Sequence, residues 1–126
     1  ARDYAAFTLG VDIEEVGLAT NDSLPGLGAS LDGKIGASIG FEVKCPSGEG
    51  VHDLYLWENR LPPKYREQVY GQMLVCELES VWFMSFDPSD NEQLLINIPR
   101  DEIYIAELKA GLDDFLAELN EMEQAA

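Results

Sequence analysis

Two carboxylates and an ammonium group stand within one short stretch of the chain: Asp32 in LGASLDG, then Glu42 and Lys44 in GFEVKCP. Successive side chains of a strand alternate between faces, so Glu42 and Lys44 project to one side while Phe41, Val43 and Cys45 project to the other. Carboxylate oxygens are hard ligands, of the kind that Mg²⁺ or Mn²⁺ takes one or two at a time and completes with water and phosphate oxygens. A cation held there lowers the pKa of a bound water and neutralises charge on a phosphate. A lysine one pleat further along positions the water or stabilises the pentavalent transition state. The set is what metal-dependent phosphodiester hydrolysis needs. The spacing D-x9-E-x-K is common by itself, and Asp32 followed by Gly33 also fits an ordinary hairpin turn.

Holding these groups on one face requires a sheet with helices packed against it. DYAAF reads as the end of a helix that Gly10 closes, and VDIEEVGLAT as a strand ending in the turn signal NDSLPG. LGASLDGKIGASIGFEVKCP reads as two strands joined by a glycine-rich hairpin around DGKIG, with Asp32 ending the first and Glu42 inside the second. VHDLYLWENR predicts a short helix halted by Pro62 and Pro63. KYREQVYGQMLVCE predicts a helix starting near Pro63, with Tyr65, Val69, Met73 and Cys76 on one face. VWFMSFDP has the continuous apolar character of a strand buried on both faces, which assigns Trp82, Phe83 and Phe86 to the core. QLLINIP predicts another strand. Asp101 then opens a helix in which Leu108, Leu112, Phe115, Leu119 and Met122 follow a three-to-four spacing, an apolar stripe for the sheet or for a neighbouring subunit. The order helix, three strands, two helices, two strands, helix predicts an α/β fold, a central mixed sheet flanked by helices, as a single domain over residues 1–126.

A chain of 126 residues can bury a sizeable core without disulfides or a structural metal. Its two cysteines, Cys45 and Cys76, make no CxxC pair and suit a reducing cytoplasm. No apolar run approaches the length of a membrane span, so no membrane partner is expected. The opening Ala1-Arg2-Asp3-Tyr4 lacks Met and reads like the middle of a helix, which predicts a fragment of a longer, helical N-terminal region. Net charge is −16 and repels nucleic acid at long range, yet Arg60, Lys64 and Arg66 gather with His52 in mid-chain, while residues 101–126 carry eight acidic residues and only Lys109. A local basic patch on an acidic body is compatible with DNA.

The strings LGASLDG, GFEVKCP, the single histidine His52, LPPKYREQVYGQMLV and VWFMSFDP follow one another in an order and at a spacing that resemble the lambda exonuclease and YqaJ-like viral recombinase nucleases, within the PD-(D/E)xK superfamily. The resemblance runs from about Tyr4 to Pro88. It implies a restriction-endonuclease-like core, Asp32 and Glu42 as ligands of Mg²⁺ (or Mn²⁺) together with the Val43 carbonyl, Lys44 as the catalytic lysine, and Gln68 on a helix lining the site. It further implies digestion of linear double-stranded DNA from a 5′ end during recombination, a single-strand annealing protein as partner, a trimeric homo-oligomer, and the cytoplasm of a bacterial host or phage-infected cell. His52, Lys64, Arg66 and Gln72 are the candidate DNA contacts. Two departures stand out. The residue before the aspartate is Leu31 where the family favours proline, and the middle of its Q-x-Q-x-Q helix pattern is Tyr70. The family's upstream acidic residue and its arginine for the 5′-phosphate have no counterpart that can be placed. Two readings from other classes compete with the nuclease: an acidic DNA mimic, whose carboxylates should spread along one surface, and an inactive nuclease-fold binding protein.

Overall fold

The computed structural model describes residues 1–125. Helix α1 (Arg2–Leu9) is closed by Gly10 in the left-handed conformation, as its sequence predicts. Strands β1 (Gly17–Thr20) and β2 (Gly28–Leu31) pair antiparallel as a separate two-stranded ribbon. Strands β3 (Gly33–Ile35), β4 (Ile39–Lys44), β5 (Ser80–Ser85) and β6 (Leu94–Pro99) form the main sheet in that spatial order. The β3–β4 and β5–β6 pairs are antiparallel, and the central β4–β5 pair is parallel.

A parallel pair needs a crossover, and here it is α2 (Val51–Glu58), a 3₁₀ turn over Pro63–Tyr65 and α3 (Arg66–Cys76). The crossover covers one face of the sheet. Val69, Met73 and Leu74 of α3 pack there with Leu78, Val81, Phe83 and Ile98. On the opposite face Ala5 of α1 joins Phe41 and Met84, flanked by Trp82 and Phe86. Strand β5 is therefore covered on both sides, as the apolar run VWFMSF predicts, although Trp82 is only partly buried. Asp101 caps α4 (Glu102–Ala125) by accepting a hydrogen bond from the Tyr104 N–H at 3.0 Å. The first turns of α4 pack on α3 through Ile105 and Leu112. Further along the same stripe, Phe115, Leu119 and Met122 are exposed.

The stretch expected to be one hairpin is two units. The reverse turn lies over residues 36–38, between β3 and β4, and the break at Asp32 separates β2 from β3. Four strands thus precede the first crossover helix where three were expected. The break arises because Leu31 still pairs with Gly17 of the ribbon while Gly33 already pairs with Phe41 of the main sheet. Gly33 is glycine because Ile13 passes over it: a Cβ there would lie 2.5 Å from the Ile13 methyl. Gly40 is similarly crowded, with a Cβ position 2.8 Å from Leu78.

Candidate active site

Strand β4 is an inner strand, so its alternation has a sharp consequence: Phe41 enters the core beneath α1, and Glu42 turns to the face covered by α3. Glu42 is 3% exposed. A carboxylate so buried must have its oxygens satisfied. Gln68 Nε2 donates to Oε1 at 3.0 Å, Gln72 Nε2 donates to Oε2 at 2.7 Å, and the Lys44 ammonium lies 3.2 Å from Oε1. Gln72 Nε2 also donates to the Ser30 carbonyl at 2.9 Å, which ties the end of β2 to the same point. The four-residue spacing of the two glutamines puts both amides over one carboxylate from successive turns of α3.

Asp32, at the join of ribbon and sheet, is exposed and stands beside Glu42, because the antiparallel register pairs the adjacent Gly33 with Phe41. Its Oδ2 accepts from the Val43 N–H at 2.8 Å. The N–H and C=O of a strand residue share one edge, so the Val43 carbonyl faces the Asp32 side while the Lys44 carbonyl bonds to Phe86 across β5 at 2.9 Å. Among the described residues no three His, Cys, Asp or Glu side chains converge as a metal cage. A cation here would rely on two carboxylates and main-chain oxygen, a donor set that suits a hard ion with several waters.

Burial raises the Glu42 pKa above its ordinary value of 4.5; the Gln72 hydrogen bond opposes this, the Asp32 charge adds to it, and the Lys44 contact opposes it again. The net direction is upward. A carboxyl raised in the folded state stabilises the fold below its unfolded pKa and loses that contribution as pH rises through the raised value. In metal-free buffer, the melting-temperature difference between Glu42→Gln and wild type should move in the variant's favour as pH rises from about 4 towards neutrality. A difference that stays flat over that range, measured by calorimetry, would show that Glu42 titrates as it does in the unfolded chain.

The other candidates fare differently. His52 is buried, and both ring nitrogens are engaged within the chain: its Nε2 bonds the Glu92 carbonyl at 2.9 Å, and its Nδ1 lies 2.8 Å from the Ser85 hydroxyl. A carbonyl can only accept, so Nε2 is the donor in that bond. The ring fastens α2 to the end of β5, where Ser85 is in register with Lys44. Gln72 is 1% exposed, with its amide nitrogen taken up by Glu42 and Ser30. Lys64 and Arg66 are exposed at the start of the α3 segment, Lys64 over the Tyr65 ring at 5.1 Å and Arg66 over the Tyr104 ring at 5.5 Å. Arg60, also largely exposed, is paired with Glu58 at 3.0 Å. Two participants were not legible beforehand. Ser30 acts through its main chain and has no residue-type signal. Tyr65, assigned to the helix face, sits in the 3₁₀ turn with its ring 4.9 Å from the Lys44 ammonium. The clue was its place between Lys64 and Arg66, three residues before Gln68.

Gln68 and Gln72 also border a groove of about 470 Å³ between β2, α3 and α4, whose other walls include Leu27, Leu108 and Leu112. Among the described residues Glu67 is the one ionisable side chain lining it, and none there offers a phosphate a positive partner.

The family model for the YqaJ-like viral recombinase domain matches residues 1–79, a span that includes Asp32, Glu42, Lys44 and both glutamines. The chain belongs to this family. Among solved structures, this YqaJ-like domain is similar to an alkaline exonuclease from Laribacter hongkongensis, with 31% identity over 99% of this chain and a TM-score of 0.91. The same exonuclease in complex with dAMP matches with 31% identity over 99% of this chain and a TM-score of 0.90. The YqaJ-like domain spans 66% and 65% of those two chains. The curated proteins include no match. The mixed sheet with flanking helices is thus the alkaline exonuclease fold. Among the described residues no helix is long and apolar enough to cross a membrane.

Proposed function

We propose that the chain is the catalytic domain of a metal-dependent, phage-type DNA exonuclease, hydrolysing phosphodiester bonds of linear duplex DNA from 5′ to 3′ during recombination. The observation that carries the reading is the convergence on Glu42: Lys44, Gln68 and Gln72 all touch its carboxylate, with Asp32 beside it, in a chain of this family. A relative that shares the fold was crystallised with dAMP, a deoxynucleoside monophosphate of the kind an exonuclease releases, which supports DNA as the substrate.

Asp32, Glu42 and the Val43 carbonyl would hold Mg²⁺, or Mn²⁺ in its place, and the ion would supply a polarised water and charge neutralisation at the scissile phosphate. The chain's own residues do the rest. Gln68 and Gln72 fix the Glu42 carboxylate so that its orientation does not depend on solvent. The Val43 N–H fixes Asp32 in the same way. Lys44, with its side chain 25% exposed, brings a positive charge to the edge of that cluster, where negative charge grows as the phosphorus becomes five-coordinate. On a body of net charge −16, long-range attraction to DNA is absent, so the backbone must be met locally. Lys64 and Arg66 suit that task, since neither pairs with a carboxylate among the described residues.

The single strand left behind would pass to a single-strand annealing protein, the working form would be a homotrimer, and the compartment would be the cytoplasm of the bacterial host; all three rest on the family likeness. One observation favours the DNA-mimic reading: the outward face of α4 is acidic and exposed. Digestion of 5′-phosphorylated linear duplex decides between them, run on this chain and on the protein extended to the length of its relatives. Nucleotide release that requires Mg²⁺, stops with EDTA and spares closed circles is the expected result. No release from either protein, with inhibition of an unrelated nuclease, would establish the mimic instead.

A further inference from the structure

We infer that Tyr65 is the positioning residue for Lys44, its ring serving as the seat of the lysine ammonium beside the Glu42 carboxylate. The inference rests on the nuclease reading for its consequence but on geometry for its substance. Among the described residues the Lys44 ammonium has two partners, Glu42 Oε1 at 3.2 Å and the face of Tyr65 at 4.9 Å from the ring centroid. An ammonium over an aromatic face is attracted by the ring quadrupole, and more strongly when partly withdrawn from water. Lys44 is partly withdrawn, with its side chain 25% exposed.

The ring is itself held. Its centroid lies 5.6 Å from that of Phe83 and 6.2 Å from that of Tyr55, the latter edge-on at 76°. Phe83 is completely buried and pairs in register with Glu42. The seat is thus anchored in the same β4–β5 pair that carries the carboxylate and the lysine. Pro62 and Pro63 fix the chain on the way into the turn, and the Tyr65 N–H bonds the Pro62 carbonyl at 3.0 Å. A four-carbon side chain has many rotamers. A rigid aromatic ring removes most of them and leaves the charge where Glu42 can meet it. The attraction comes from the π face, so the hydroxyl is dispensable for this purpose and phenylalanine should substitute.

The test has two arms. The first reads the seat without reference to activity: in this chain, the ε-methylene protons of Lys44 should resonate upfield of those of Lys34 and Lys109, from the ring current of Tyr65. The shift should persist in Tyr65→Phe and vanish in Tyr65→Leu. Lys64, on the same ring at 5.1 Å, serves as an internal control. Absence of the shift in wild type overturns the inference even if no variant folds. The second arm uses the protein that digests DNA. There Tyr65→Leu should lower kcat roughly tenfold with KM and the half-saturating Mg²⁺ concentration unchanged, and Tyr65→Phe should stay within about twofold of wild type. Loss in Tyr65→Phe equal to that in Tyr65→Leu, or full kcat in Tyr65→Leu, overturns it. If the protein digests no DNA at all, the nuclease reading fails, and the first arm alone decides whether Tyr65 seats Lys44.

Discussion

Lys44→Ala is expected to reduce digestion of linear duplex by roughly 10²–10³-fold while leaving Mg²⁺ binding nearly intact. The expected size follows from what the lysine touches. Its ammonium contacts the Glu42 carboxylate but offers no oxygen to a cation, so under the proposed mechanism its removal would take away a positive charge beside the phosphate and no metal ligand. Interactions made mainly in the transition state lower kcat and kcat/KM together, and that is the kinetic signature to look for. Glu42→Ala should lose both turnover and metal binding, and it also takes the Glu42 acceptor from Gln68 and leaves Gln72 with the Ser30 carbonyl alone. Calorimetric Mg²⁺ titration and the digestion assay on the same preparations separate the two variants. Wild-type digestion by Lys44→Ala would reduce the lysine to a polar strand residue and overturn the proposed division of labour.

The second large effect concerns the metal itself. Asp32 and Glu42 stand side by side, and the Asp32 charge adds to the burial that holds the Glu42 pKa above its ordinary value. Mg²⁺ or Mn²⁺ at about a hundred times its dissociation constant should stabilise the fold by about 2.7 kcal/mol. For a chain of this size that is a rise in melting temperature on the order of 10 °C. Asp32→Ala should abolish the rise. Asp32 is exposed, so its removal opens no cavity, and the variant's melting temperature without metal should stay close to that of wild type. An equal metal-induced rise in variant and wild type would place the ions on the acidic surface at large, where the many carboxylates of α4 offer weak sites.

Much of the site was legible because a strand has a period of two. That period alone puts Glu42 and Lys44 on one face and Phe41 on the other, whatever the strand packs against. Helix periodicity likewise placed Val69 and Met73 on the buried face of α3 and left Gln68 and Gln72 four apart on another. Gly10 and Asp101 marked helix ends through local chemistry. These features depend on residues near one another in sequence, so the amino-acid order is enough to determine them.

Long-range pairing decided the rest. LGASLDGKIG reads as one strand running into a hairpin, but Leu31 pairs with Gly17 and Gly33 with Phe41, and Asp32 is the exposed residue left at the junction. No local pattern reveals which distant strand each half will choose. His52 and Gln72 have side chains that could equally meet DNA or close an internal network, and only the burial produced by packing α2 and α3 on the sheet makes them internal. Tyr65 shows the same ambiguity in an aromatic: the sequence places it on a helix face, and the folded chain sets its ring against the lysine that β4 delivers. Sequence determined the kinds of groups and the faces they occupy. Tertiary structure determined which faces meet, because that depends on contacts between residues tens of positions apart, whose free energy is realised only when the whole sheet and its crossover close together.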